Sequence, residues 1–488
     1  MIASRRQLLV LGAAGLTSSL LSGCETLEQR LIQARLPGNA LPLPNLPFHS
    51  PAVRLLNRAA YGPRPGDLAH VMSIGIPAYV AEQLAPEALT EEPILTLRVR
   101  SLADTLNPDT GLLFDEDDHR VVEALRQATL LRAVYSRKQL LERMVEFWTD
   151  HFNIYAFKGL GPQLKVVDDH ATIRSHALGK FRDLLGASAR SAAMLGYLDN
   201  TANRKGIPNE NYARELMELH TLGVHGGYTQ HDVREVARCF SGWTFENHWH
   251  RGRFRFDSET HDDGPKLVLG VSIPAGGGVH DGERVLDILA SHPATGAHLA
   301  RKLCLHFLGE SSDRWTRRLA KIFCDSGGDI KPVLLALLTS DDLLTAKPIL
   351  KRPLDFTVSS LRALNADTDG SLGVQGNLES MGQALFAWPM PDGFPEAAHF
   401  WTGALIPRWN FALALSGNAL ENTRLDLSAL AEAGAKAALT PHDTLLELAF
   451  GCSSADLALA GLRTLAHGYP DLAEYTAIIL MSPTFQWR

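Results

Sequence analysis

The chain has 488 residues, 45% hydrophobic and 21% charged, with 47 Lys and Arg against 54 Asp and Glu for a formal charge of −7. This composition excludes a largely disordered chain, a collagen-like repeat and a polytopic membrane protein, and the length suffices to bury a core without disulfide staples. The acidic balance gives no electrostatic reason for a nucleic-acid partner.

The first element is an address. Ser4-Arg5-Arg6-Gln7-Leu8-Leu9 sets paired arginines before an uncharged run from Leu8 to Gly23, rich in Leu, Ala and Gly. A basic start and a short apolar run predict a signal peptide over residues 1–23, since the run is too short and mild for a transmembrane helix. The arginine pair resembles a twin-arginine export signal. Leu21-Ser22-Gly23-Cys24 resembles a lipobox, in which Cys24 becomes the first mature residue and carries lipid. Removing Arg5 and Arg6 with the leader leaves a charge of −9. The expected location is the cell envelope, on the periplasmic or extracellular side, with the membrane as partner through the lipid on Cys24. Residues 24–50 read as anchor and tether, because Leu41-Pro42-Leu43-Pro44-Asn45-Leu46-Pro47 favours extended backbone. One large domain is expected over 51–488, mainly α with a small β-hairpin insertion.

Between Lys138 and Phe157, Leu141, Met144, Val145, Trp148, Phe152 and Tyr155 recur at three and four, which predicts an amphipathic helix. Glu142, Glu146 and Asp150 fall opposite that stripe and read as a solvent face. His151 falls inside it, either as a hydrogen-bonded core histidine or as a general base or metal ligand beside Trp148. Asn209 to Gly223 predicts a second polar helix. On a 100° wheel Tyr212, Leu216 and Leu219 lie within about 60° of one another and form its buried stripe. Asn211, Glu215 and Glu218 make a line beside the stripe, and His220 takes the other flank. Asn209 can cap the start and Gly223 end the helix. The polar line reads either as a solvated face, with Glu210–Arg214 and Arg214–Glu218 pairs, or as one wall of a site.

Thr229 and Asp232 open a further helix with the apolar series Val233, Val236, Ala237 and Phe240. Phe254, Phe256 and then Leu267 to Leu269 flank the turn-rich His261-Asp262-Asp263-Gly264-Pro265, which predicts one hairpin with a long loop. Other helices are expected near 67–84, 118–135, 168–196, 281–308, 313–325, 329–345, 352–365 and, with breaks, 409–481. Loops are expected at Gly276 to Gly278, Asp367 to Gly376 and Pro389 to Pro395. Besides Cys24, Cys239, Cys304, Cys324 and Cys452 are widely spaced with no C-x-x-C, so a zinc cage is not expected, while one disulfide in an exported protein stays open.

Several runs together resemble one bacterial family, the domain of unknown function 1800 family. They are Arg54-Leu55-Leu56-Asn57-Arg58-Ala59-Ala60-Tyr61-Gly62-Pro63, the block from Glu142 to Phe152, and above all Asn209 to Gly223. Gly227-Tyr228-Thr229, Gly242-Trp243-Thr244, His292-Pro293-Ala294-Thr295, Lys302-Leu303, Pro391-Asp392-Gly393-Phe394-Pro395 and Ser482-Pro483-Thr484-Phe485-Gln486 complete the series. The resemblance covers about 52–488 and implies an exported, mostly helical bacterial protein. It implies no reaction.

The chemistry must come from the residues. There is no G-x-S-x-G, G-x-G-x-x-G, P-loop or H-E-x-x-H, and Glu215-x-x-Glu218 carries Glu where a helical di-iron motif has His. No cofactor is assigned, and a metal on His151, Glu215 and Glu218 is the minor alternative. Carboxylates and aromatics remain. Glu215, desolvated at the edge of the stripe, and Glu218, nearer water, are the expected acid/base pair. His151 or His220 is the orienting or proton-shuttling group. Asn211, Arg214, Trp148, Trp243 and Trp388 are the expected substrate-binding side chains. The leading expectation is an envelope lipoprotein that hydrolyses or cleaves a glycan-like polymer. The alternatives are a non-catalytic docking partner for another exported protein and a metal-dependent oxidoreductase.

Overall fold

The computed structural model of the protein describes residues 47–48, 50–107, 113–247 and 252–488. The signal peptide, Cys24 and nearly all of the tether lie outside these residues.

The described chain is mainly α. The elements that build the site are α1 (Pro51–Ala59), α2 (Asp118–Tyr135), α3 (Gln139–His151), a π-helical segment (Asp168–Arg174), α4 (Asn211–Glu215) running into a second π-helical segment (Leu216–Thr221), α5 (Gln230–Phe240), α6 (Pro293–Leu308), α7 (Asp313–Asp325), α8 (Pro353–Ala363), α9 (Leu405–Ser416), α10 (Pro441–Phe450) and α11 (Leu472–Met481). Their starts follow local chemistry. Ser50 Oγ accepts from Val53 N at α1, and Thr229 and Asp232 form the reciprocal capping box expected at α5.

The strands form three separate antiparallel pairs: β1 (Trp243–Phe245) with β2 (Phe254–Phe256), β3 (Lys266–Val268) with β4 (Val271–Ile273), and β5 (Asp367–Thr368) with β6 (Thr423–Arg424). The single hairpin expected from Phe254 to Leu269 is therefore two. Trp243 lies opposite Phe256 and Phe245 opposite Phe254, so the aromatic partner of β2 is upstream. β3 turns back at once through Leu269 and Gly270, both at positive φ, as a two-residue hairpin turn requires. Leucine in the first turn position hides that signal. The stretch 367–376, expected as a loop, holds β5 and the start of a helix at Leu372.

Two hydrophobic cores form. One gathers α1, α3, α5, α6 and α7 around Trp148, Phe181, Tyr212, Phe240 and Phe307, and the other gathers α2, α8, α10 and α11 around Tyr135, Phe356, Phe411 and Tyr475. Helix α3 lies where they meet. Its Leu140, Met144, Val145, Phe147 and Trp148 enter the first core as the spacing predicts. Its opposite face is not the expected solvent face. Glu142 is 5% exposed, and the side chains of Glu146 and Asp150 are 8% and 18% exposed. Arg174 and Arg352, from other segments, cover that line together with Arg143 of α3 itself. Cys239, Cys304, Cys324 and Cys452 are all unpaired, and the first, second and fourth are buried.

Candidate functional site

Buried carboxylates need paired charges, and the acidic face of α3 has them. Glu142 takes a two-pronged contact from Arg174, at 3.0 and 2.8 Å, and Arg174 also reaches Asp169 at 2.9 Å. Arg143 pairs with Glu146 at 2.7 Å and with Asp355 of α8 at 2.6 Å. Arg352 also holds Glu146, which accepts a further 2.7 Å bond from the Tyr61 hydroxyl. Through Nη1, Arg352 meets Asp150 at 2.8 Å and Glu396 at 3.8 Å. Asp150 and Glu396 thus share one guanidinium nitrogen, which limits their separation to the sum of those two distances. His306 Nδ1 adds a 2.9 Å contact to Glu396, and its Nε2 lies 3.2 Å from Arg143.

The open end of this network faces a cavity of about 680 Å³. Asp150, Lys302, Asp392, Glu396, Phe394 and Trp487 are among its walls. Burial pushes the Asp150 carboxyl up to about 6, against the pull of Arg352. Burial acts on Glu396 in the same direction, but Arg352 and His306 outweigh it and hold that carboxylate well below its usual range. Lys302 is half-buried and makes no ion pair among the described residues. Loss of water lowers its ammonium pKa, while Asp150, Glu396 and Asp392 oppose the drop. A second cavity, about 760 Å³, runs along Asn365, Asp367, Arg424 and Asp426. It is lined by no histidine, and its Asp367 is committed to Arg98 at 2.7 Å.

The Pro391-to-Pro395 run is what brings Asp392 and Glu396 to α3. Gly393 sits at φ +78° with its Cα pressed on the last turn of α3, where a Cβ would overlap the Asp150 carbonyl oxygen. Asn153 donates to the carbonyls of Trp388 and Met390 at 3.0 and 2.6 Å, and the Tyr197 hydroxyl donates to Pro389 O at 2.7 Å. The loop is therefore fixed along its length.

The 209–223 segment departs from the ideal wheel. After Glu215 the chain widens to π geometry, with Leu222 N bonded back to Met217 O. The buried set becomes Tyr212, Ala213, Leu216, Met217, His220 and Thr221. His220 is thus 1% exposed rather than flanking, and Leu219 is only half-buried. The N-cap position falls on Glu210 rather than Asn209, which instead accepts from Asn211 N at 3.0 Å in the turn before the helix, and Asn211 donates its amide to Leu198 O at 3.2 Å. Arg214 pairs with Glu210 at 3.1 Å. Glu215 is half-buried, and burial and then Glu218 raise its pKa, as expected, with Asp392 adding to the rise. Glu218 is half-buried and takes a long 3.4 Å contact from the Tyr228 hydroxyl. Neither glutamate lines the 680 Å³ cavity.

His151 and His298 satisfy the free carbonyls at the end of the π segment: His151 Nε2 donates to His220 O at 3.0 Å and His298 Nε2 to Leu219 O at 2.9 Å. Burial lowers all three histidine pKa values, His151 well below its usual value, His220 to about 3 and His298 to about 4. His151 and His220 lie behind the cavity wall and do not line it. In the structure His151 holds a helix-end carbonyl, as a hydrogen-bonded core histidine would, and does not reach the cavity. Among the described residues, no group of three or more His, Cys, Asp or Glu could hold a metal ion.

Two tryptophans expected to stack on substrate are closed off. Trp148 is buried with its indole N–H on Ala177 O at 2.9 Å, and Trp243 is buried between Phe240, Phe254 and the Arg190 guanidinium. Trp388 is half-buried, donates to Asp392 at 3.0 Å and packs against Phe394 and Phe400.

The chain matches, over residues 54–487, the family described as protein of unknown function (DUF1800). The chain belongs to this family. No curated protein and no solved structure matches it. The DUF1800 match spans every segment that meets at the cavity. The block from Glu142 to Phe152 brings Asp150, Lys302 lies in α6, and Asp392 belongs to the Pro391-to-Pro395 run. Reading the sequence missed Glu396, Arg352 and His306 entirely. The one available pointer was that Glu396 directly follows that proline-bounded run.

Proposed function

We propose that the protein is an exported envelope lipoprotein, tethered by lipid on Cys24, that cleaves a glycan-like polymer by carboxylate acid/base catalysis. The acid/base pair is Asp150 and Glu396 rather than Glu215 and Glu218. The observation that carries the reading is the pairing of both carboxylates with one Arg352 nitrogen at a cavity wall, with their pKa values displaced in opposite directions. Acid/base division of labour needs that asymmetry. Asp150 holds a proton below about pH 6 and gives it to the leaving glycosidic oxygen as the C–O bond breaks. Glu396 stays ionised and stabilises the positive charge that develops at the sugar carbon, or takes the proton of the attacking water. Arg352 positions both. Trp487 on the cavity wall and Trp388 in the adjoining loop offer flat faces to a sugar ring. Glu215, near Asp392, extends the polar surface beyond the cavity.

The test is release of new reducing ends from a panel of envelope polysaccharides. Activity should fall as pH rises through about 6, because Asp150 then loses the proton it must donate. Asp150→Asn and Glu396→Gln should each lower the rate by about 10²–10⁴, and Glu215→Gln should lower it far less. Full activity in the Asp150→Asn, Glu396→Gln double variant would refute the assignment.

A further inference from the structure

Among the described residues, one helix presents an apolar face with nothing packed on it. In α9, Leu405, Ile406, Trp409 and Leu413 share a face by their spacing of three and four, and they are 43%, 67%, 39% and 53% exposed. Phe400, in the turn before, is 48% exposed and packs edge-on against Trp388 at 5.7 Å. Single exposed apolar residues are ordinary, but five in fourteen positions are a patch.

The charge pattern around the patch selects its occupant. Between Glu396 and Glu421 the only Asp, Glu, Lys or Arg is Arg408. Arg408 is buried and committed inward, to Gln486 Oε1 at 3.0 Å and Lys351 O at 2.6 Å. The surface of α9 therefore carries no charged side chain. Its inner side is firmly seated, with Phe411 against Phe356 at 5.7 Å. Large aliphatic and aromatic groups on a rigid, uncharged helix face suit the boundary between lipid headgroups and acyl chains.

Chain connectivity agrees. The tether from Cys24 to the body can span about 80 Å when extended. It enters the body at Phe48, which packs edge-on against Phe450, and the ring contacts continue through Phe485 and Phe356 to Phe411 under α9. The patch lies across one core from the tether and within its reach.

We infer that the Phe400–Leu413 face of α9 docks on the surface of a lipid bilayer, as a second attachment that orients the body. Docking would set the cavity mouth near the membrane, since Ala397 and Ala398 at the cavity wall immediately precede the patch. The choice of bilayer rests in part on the proposed anchor at Cys24, so the test separates the two. Mature protein carrying Cys24→Ala, and so no acyl chain, is sedimented with phosphatidylethanolamine/phosphatidylglycerol vesicles. It should bind, and binding should survive 0.5 M salt because apolar insertion is not screened (about 4 Å Debye length). Ile406→Glu with Leu413→Glu should reduce the bound fraction at least about tenfold, with an unchanged melting curve because both side chains are exposed. Absence of vesicle binding by the unacylated protein overturns the inference. A dimer in light scattering that the double variant converts to monomer also overturns it, and makes a second copy the occupant. Palmitate labelling of the wild-type protein in cells reads the Cys24 anchor separately, so its failure with vesicle binding intact removes the anchor and leaves the docking face.

Discussion

Helix α3 and the α4–π segment each carry three polar side chains at helical spacing beside an apolar stripe, and they end in opposite settings. Glu142, Glu146 and Asp150 are enclosed by Arg174, Arg143 and Arg352. Asn211, Glu215 and Glu218 are exposed or half-buried and contact mainly their own neighbourhood. The local sequences are alike in character. What separates them is whether a distant segment supplies guanidinium groups to cover the line. Where it does, desolvation and pairing act on each carboxylate separately and drive neighbouring pKa values apart. An acid/base site is therefore to be sought where arginines from remote segments converge, not where carboxylates are densest along the chain.

The comparison can be broken by removing the cover. Arg352→Ala strips Asp150 and Glu146 of a partner inside the protein and should cost about 3–5 kcal/mol in chemical denaturation; a loss under about 1 kcal/mol would mean the carboxylates reach water or other partners. Gly393→Ala comes next. The added methyl meets the Asp150 carbonyl in a left-handed backbone conformation, so the loop must shift at a cost of about 1–3 kcal/mol, and Glu396 should move with it. A variant with native melting and native pH profile would show that the loop does not set the site. The smallest effect belongs to the other segment: Glu218→Gln should change stability by no more than about 0.5 kcal/mol. A larger loss would place Glu218 in a network like that of α3.

Much of the fold was legible. The spacing in α3 placed Met144, Val145 and Trp148 in the core, and the capping box of α5 was readable at Thr229 and Asp232. Both are local, since helix period and capping need only a few successive residues. The misreadings share a cause as well. His220 moved from flank to interior because a π segment adds a residue to the turn, and the wheel assumes a constant 3.6. Nothing local to Trp243 or Trp148 shows that Phe254, Arg190 or Phe181 closes over their faces.

By itself the sequence determined the mainly helical class, the family, the apolar face of α3 and the caps that start its helices, because these follow from periodicity and from side chains reaching no farther than one turn. Only the tertiary structure decided which carboxylates lose water and which arginine each one meets. Those depend on contacts between segments far apart in the chain, Asp150 and Arg352 being 202 positions apart, and ionisation responds to the surroundings in space as well as to neighbours in the chain.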